Sequence, residues 1–203
     1  MKLLAALLTL SLLAPAASLQ QTDRERVLSE LHASRKQFLD AIAGLSPAQW
    51  TFKATPDRWS IAEVAEHIIA AEAYLGTMVT KQIMGAPADA AKAEARKPTN
   101  SKTDEAFLAQ FRDRSQKAQA PDEIAPKGTI KTPADAADAF KAVRDKTLDY
   151  VRTTEDALRD HFFTPVPGTE LDGVQGLLMI AGQNERHVLQ MLEVKHAPAY
   201  PAK

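Results

Sequence analysis

The 203-residue chain contains no cysteine, which excludes disulfides, thiolate metal sites, cysteine nucleophiles and a lipid anchor attached through an N-terminal cysteine. It also lacks charge of one sign, with 25 Lys and Arg against 26 Asp and Glu. No basic field is therefore available to hold nucleic acid through phosphate neutralisation. Glycine is scarce, at eight residues, and neither a Gly-rich phosphate-binding loop nor a Ser-His-Asp arrangement stands at a credible place. An alternating strand pattern is missing too. No apolar run reaches the roughly 20 residues that a membrane-spanning helix requires.

The longest such run, Leu3 to Leu13, follows the basic start Met1-Lys2 and precedes Ala14-Pro15-Ala16-Ala17-Ser18. A basic start, a short apolar run and small residues with Ala-x-Ala chemistry form the pattern of a secretory signal peptide. The expectation is removal of residues 1–17, a secreted or periplasmic location, and no membrane insertion afterwards. The remainder, about 186 residues, is the size of one domain, expected over 22–196. That length buries a core without staples.

What is abundant is Ala, Leu, Glu, Lys and Arg, the helix formers. Four segments carry a helical period, and all-α is the expected fold class. The first, 23–44, repeats Leu28, Leu31, Phe38, Ile42 and Leu45, and Ser46-Pro47 then opens a short turn. The second, 61–84, starts at a Ser60–Glu63 capping box and carries Ile61, Val64, Ile68, Ala71, Leu75 and Met78. A third, 133–158, begins at Thr132-Pro133 with Asp135 near the positive helix end. The last, 171–195, is expected to take Thr169 as its N-cap, with Val174, Leu177, Ile180, His187, Met191 and Val194 largely on one side. Four amphipathic helices read as a bundle.

Helices two and three are joined by a long connection. Residues 86–101 are low in complexity and contain Pro, which predicts a mobile surface loop. A short helix is expected over 103–117, and 118–131 should be irregular. So long a crossover permits the second and third helices to run parallel.

Two of the five histidines sit on core stripes. His67 lies in line with Ala71, Tyr74 and Met78, because steps of three and four keep one helix face. His187 aligns with Ile180, Gln183, Met191 and Val194. Three polar side chains aimed at one interior are costly unless bonded. A metal, a water or one another would serve, and a hydrogen-bonded core histidine is the plain alternative. Di-iron spacing, Glu-x-x-His on two helices, is absent. His32, His161 and His196 read as solvated.

The run Trp59-Ser60-Ile61-Ala62-Glu63-Val64-Ala65-Glu66-His67, followed by Glu185-Arg186-His187-Val188-Leu189-Gln190, resembles the DinB-like family. Asp113 to Pro121, Pro126-Lys127-Gly128 and Tyr150-Val151-Arg152-Thr153-Thr154 resemble one uncharacterised branch of it. The resemblance covers 22–195 and implies a four-helix bundle of up-up-down-down topology. It implies a divalent metal held by one His on helix two and a His-x-x-x-His pair on the last helix. His67 matches the first ligand and His187 the third, but the middle position is Gln183. An amide oxygen is a poorer donor than imidazole for zinc or nickel, so binding would be weakened, or Gln183 would bridge the histidines by hydrogen bonds.

Family members include thiol-dependent transferases and isomerases and metal-dependent hydrolases, so two readings follow. One is an exported metal-dependent hydrolase or transferase with a degenerate His site, in which Glu63 either orients a water or simply caps its helix. The other is a non-catalytic envelope binding protein that keeps the bundle. A small-molecule ligand and a homodimer are the partners left open.

Overall fold

The computed structural model describes residues 18–115, 120–166 and 168–202. The expected signal peptide, 1–17, lies outside them. Among the described residues no helix is long and apolar enough to cross a membrane.

Four long helices form the frame: α1 (Gln21–Ile42), α3 (Ile61–Thr77), α6 (Pro133–Thr153) and α7 (Gly173–Lys195), with the short α2 (Pro47–Thr51) between the first two. Side-chain caps fix most starts. Ser46, Ser60, Thr132 and Asp172 each close a reciprocal capping box with the residue three positions on, so orphan backbone donors are satisfied before any tertiary contact forms. α3 continues as a π-helical turn, Met78–Ile83.

α1 packs on α6 and α7, and α3 packs on the same two. Val27 and Leu31 share one core cluster with Val79, Leu148 and Leu177. Phe38, Ile61, Phe140 and Met191 share a second, at the other end. The chain therefore runs up in α1, down in α3, down in α6 and up in α7. This corrects the up-up-down-down order expected from the resemblance. The reason is loop length: the short 43–60 connection reverses the chain, whereas the long one returns it to the same end. The predicted parallel pairing of the second and third helices holds.

The long connection is more ordered than composition implied. Residues 90–96 form α4 (Ala90–Arg96), capped by the Asp89 carboxylate on the Lys92 amide at 3.0 Å. Lys92 and Arg96 both reach Glu170. An Ala-, Lys- and Glu-rich stretch needs little more than a cap to become helical. After a 3₁₀ turn at Lys97–Thr99 comes α5 (Asn100–Arg112), which packs on α7 through Leu108. The expected 103–117 helix thus exists, displaced toward its N-terminus.

Two further corrections fall before α7. The third helix ends at Thr153 rather than near 158, and the stretch between it and the last helix, with the first two residues expected in that helix, forms a hairpin, β1 (Phe162–Val166) and β2 (Thr169–Asp172), paired antiparallel. Gly168 turns it at φ 83°, a conformation glycine adopts without penalty. Phe162-Phe163-Thr164-Pro165 does not alternate, so the strand carried no periodic signal. Thr169 is consequently a strand residue, and Asp172 is the N-cap of α7.

α7 approaches α3 closely at Gly176, where an added Cβ would stand 2.7 Å from Ile83 Cδ1 and 2.8 Å from Val79 Cγ2. Gly176→Ala is expected to cost about 1–3 kcal/mol as overpacking, despite the better helix propensity of alanine. Urea denaturation measures this; an unchanged midpoint would show that the contact relaxes freely.

Candidate functional site

The interior of the bundle brings His67, Gln183 and His187 together. His67 comes from the middle of α3 and is 2% exposed; Gln183 and His187 come from consecutive turns of α7. The antiparallel α3–α7 packing sets them face to face. His67 Nε2 stands 3.1 Å from His187 Nε2 and 3.1 Å from Gln183 Nε2. The two imidazoles meet edge to face, with centroids 4.4 Å apart.

The outer nitrogen of each ring faces an acceptor. His67 Nδ1 is 2.8 Å from the Ile124 carbonyl oxygen, which cannot donate, so Nδ1 carries the proton. His187 Nδ1 is 3.0 Å from Gln190 Oε1. That oxygen also faces Arg114 Nη1 at 3.5 Å, a donor-only group that keeps the amide oriented. With both Nδ1 atoms protonated, both Nε2 atoms present lone pairs. Gln183 N–H donates to the one on His67. The one on His187 meets only another lone pair among the described residues.

A proton between the rings is disfavoured. Burial lowers the pKa of His67 from its ordinary value. Burial, then the neighbouring His67, then Arg114 and Arg186 push His187 down to about 3, against the Gln190 bond. Neutral, oriented imidazoles whose Nε2 atoms carry lone pairs are what a divalent metal requires, and hydrogen-bonded Nδ1 groups are the usual outer support. Two nitrogens set tetrahedrally about 2.0–2.1 Å from one ion stand roughly 3.3 Å apart, close to the 3.1 Å here. The pair therefore fits a metal. The third position fits less well: among the described residues no group of three His, Cys, Asp or Glu is available, and Gln183 offers only an amide.

Glu63 does not enter this cavity. Its carboxylate accepts from the Ser60 amide at 2.7 Å and from Lys53 at 3.0 Å, so the capping role is the one observed. Glu66, one residue before His67, faces elsewhere. It accepts from the Gly128 and Thr129 amides at 2.7 and 3.0 Å and from the Thr129 hydroxyl. This ties the α5–α6 connection down over α3, the same connection that delivers the Ile124 carbonyl to His67. His32 and His196 are exposed, as expected. His161 is half-buried with Nδ1 2.7 Å from the Ala86 carbonyl, a correction to its solvated reading.

The histidines form part of the wall of a cavity of 360 Å³. Trp59, whose ring lies 5.1 Å from that of His67, lines it together with Pro121, Ile124 and three arginines, Arg58, Arg114 and Arg186. In the sequence, Trp59, Arg114, Arg186 and Gln190 stand out only as parts of the family resemblance. Nothing in their spacing revealed that three separate segments converge. The nearest available signal was Arg186-His187, a charge directly beside a core histidine.

No curated protein matches the sequence. Among solved structures, YfiT from Bacillus subtilis is similar over 93% of this chain and 94% of its own, at 10% identity and a TM-score of 0.54. It is described as a probable metal-dependent hydrolase with an unusual four-helix bundle topology; at that identity the likeness establishes the fold alone. A family model described as the DinB superfamily matches residues 30–191. The four-helix frame and this match over most of its length agree: the chain belongs to the DinB superfamily.

Proposed function

We propose that this protein is an exported metal-dependent enzyme, hydrolytic in type, whose divalent ion is held by His67 and His187 with Gln183 as a weaker third ligand. The observation that carries it is the facing pair of unprotonated Nε2 atoms at 3.1 Å, each fixed by an acceptor behind its ring. The similarity to YfiT, described as a probable metal-dependent hydrolase, supports the same reading. A divalent ion supplies Lewis acidity and makes water nucleophilic near neutral pH. The chain's own contributions are orientation and exclusion. Ile124 and Gln190 fix the ring tautomers, Arg114 fixes Gln190, and Trp59, Pro121 and Ile124 give the cavity a partly apolar wall that suits a small-molecule substrate.

Untagged protein is expected to bind zinc or nickel. His67→Ala and His187→Ala should each weaken that binding by at least about 100-fold, since each removes one of two imidazole ligands. Calorimetric titration with each metal reads this directly; affinity unchanged by both substitutions would refute the site. A second reading has its own support, because the Gln183 N–H already satisfies His67 Nε2 at 3.1 Å. In that reading the bundle is a non-catalytic envelope binding protein, and neither metal binds the native chain.

Export rests on the Met1-Lys2 start, the Leu3–Leu13 run and the small residues that follow. N-terminal sequencing of the envelope fraction should find a chain lacking about its first 17 residues, and intact Met1 would overturn this part.

A further inference from the structure

We infer that Glu66 is a positioning residue: by tethering the segment that follows Ile124 to α3, it selects the His67 tautomer whose Nε2 carries the lone pair. Its catalytic meaning rests on the metal-site reading, but the tautomer itself exists without the ion. Glu66 is 8% exposed, and a carboxylate so deeply set is costly unless its oxygens are bonded. One oxygen accepts from the Gly128 amide at 2.7 Å; the other accepts from the Thr129 amide at 3.0 Å and from the Thr129 hydroxyl. Gly128 stands at φ 70°, which glycine adopts without penalty, and the turn brings both amides to one carboxylate.

The segment has few other directional holds. It runs from the 3₁₀ turn Asp122–Ile124 to the start of α6 without strand or helix of its own. Among the described residues, the hydrogen bonds that join 124–131 to other segments are those to Glu66 and the one between His67 Nδ1 and the Ile124 carbonyl at 2.8 Å. Glu66 and His67 are neighbours on α3, so one rigid helix grips the segment twice, at Ile124 and again at Gly128 and Thr129. The side chain of Ile124 is buried and Ile130 packs on the second core cluster. Apolar burial is non-directional: it holds the segment down without setting where the Ile124 carbonyl points.

The direction of that carbonyl decides the chemistry of the ring. Which imidazole nitrogen carries the proton is set by the hydrogen bond that the other makes. Facing the Ile124 oxygen, Nδ1 keeps the proton and Nε2 keeps the lone pair. Once that acceptor moves away, the proton is free to sit on Nε2 and be donated to His187 Nε2, 3.1 Å distant. The two rings then satisfy each other, and His67 has no lone pair to offer an ion. Glu66 therefore opposes a closed, self-paired state of the two histidines.

Nitrogen NMR of the full mature chain, stripped of metal and carrying isotope-labelled histidine, reads the tautomers directly at about pH 8, where ordinary histidines are neutral. In the native protein His67 should carry its proton on Nδ1. Glu66→Ala should shift the His67 tautomer ratio toward Nε2 at least about fivefold, the worth of roughly one hydrogen bond, while His187, held by Gln190, keeps its Nδ1 proton. Glu66→Gln retains the shape but turns one acceptor into a donor. It should shift the ratio the same way, and it decides the matter if the alanine variant does not fold. Zinc affinity should fall at least about tenfold in the shifted variant. A lowered melting temperature with the His67 tautomer unchanged would overturn the inference, since a tether that only stabilises the fold predicts that result. Nε2 protonation of His67 in the native chain would overturn it too, and so would unchanged zinc affinity in a variant whose tautomer has shifted. A native chain that binds no zinc would remove the metal-site reading, yet the tautomer shift would still support the role of Glu66.

Discussion

Replacing Arg144 by Met while leaving Glu72 in place is expected to cost about 3–5 kcal/mol of unfolding free energy, the cost of an uncompensated buried charge. Arg144 is fully buried on α6. Its Nε and Nη2 donate to the two Glu72 oxygens at 2.6 and 2.9 Å, and its Nη1 donates to Ser34 at 2.9 Å and to the Leu31 carbonyl. Thr147 supplies a further bond to Glu72 at 3.0 Å. Three of the four long helices meet at this one guanidinium. The double replacement Arg144→Met with Glu72→Met should recover most of the loss, because a buried pair is often no more stabilising than apolar side chains of similar volume. Denaturant titration of the two variants decides it. A single substitution costing less than about 1 kcal/mol, the range of exposed pairs, would show that water reaches the pair.

Gln183→His is expected to raise zinc or nickel affinity by at least about tenfold, because imidazole is a better donor than an amide oxygen for these metals. Gln183 lies one turn before His187 and reaches within 3.1 Å of His67 Nε2, so a third imidazole would complete a set with both existing ones. The change also removes the N–H that now competes for the His67 lone pair. Parallel titrations of the native and substituted proteins measure the gain. Equal affinities would show that position 183 does not contact the ion, and the metal would then rest on His67 and His187 alone.

The helices were legible because they are local. Ser60 and Glu63 close a capping box three residues apart, and Ile61, Val64, Ile68, Ala71 and Leu75 are all buried on one face. The same periodicity placed His67 and His187 on interior stripes, and these are the two rings that meet in the interior. It did not show the Arg144–Glu72 pair, although both residues fall on buried stripes, Arg144 between Phe140 and Thr147 and Glu72 between Ala71 and Leu75. A charge at a core position was the available signal, and its partner 72 residues away was not readable from either helix alone. The hairpin was missed for a related reason: short strands are stabilised by their cross-strand partner, which periodicity within one segment cannot report.

By itself, then, the sequence determined the helical class, most of the caps, and which histidines face inward, since each depends on residues within one or two turns. Only the tertiary structure decided the up-down-down-up order, the pairing of His67 Nε2 with His187 Nε2, and the supporting acceptors at Ile124 and Gln190. It also decided the convergence of Arg58, Arg114 and Arg186 on one cavity. These are relations between segments brought together by burial of several stripes at once, and no single segment encodes where its partners will stand.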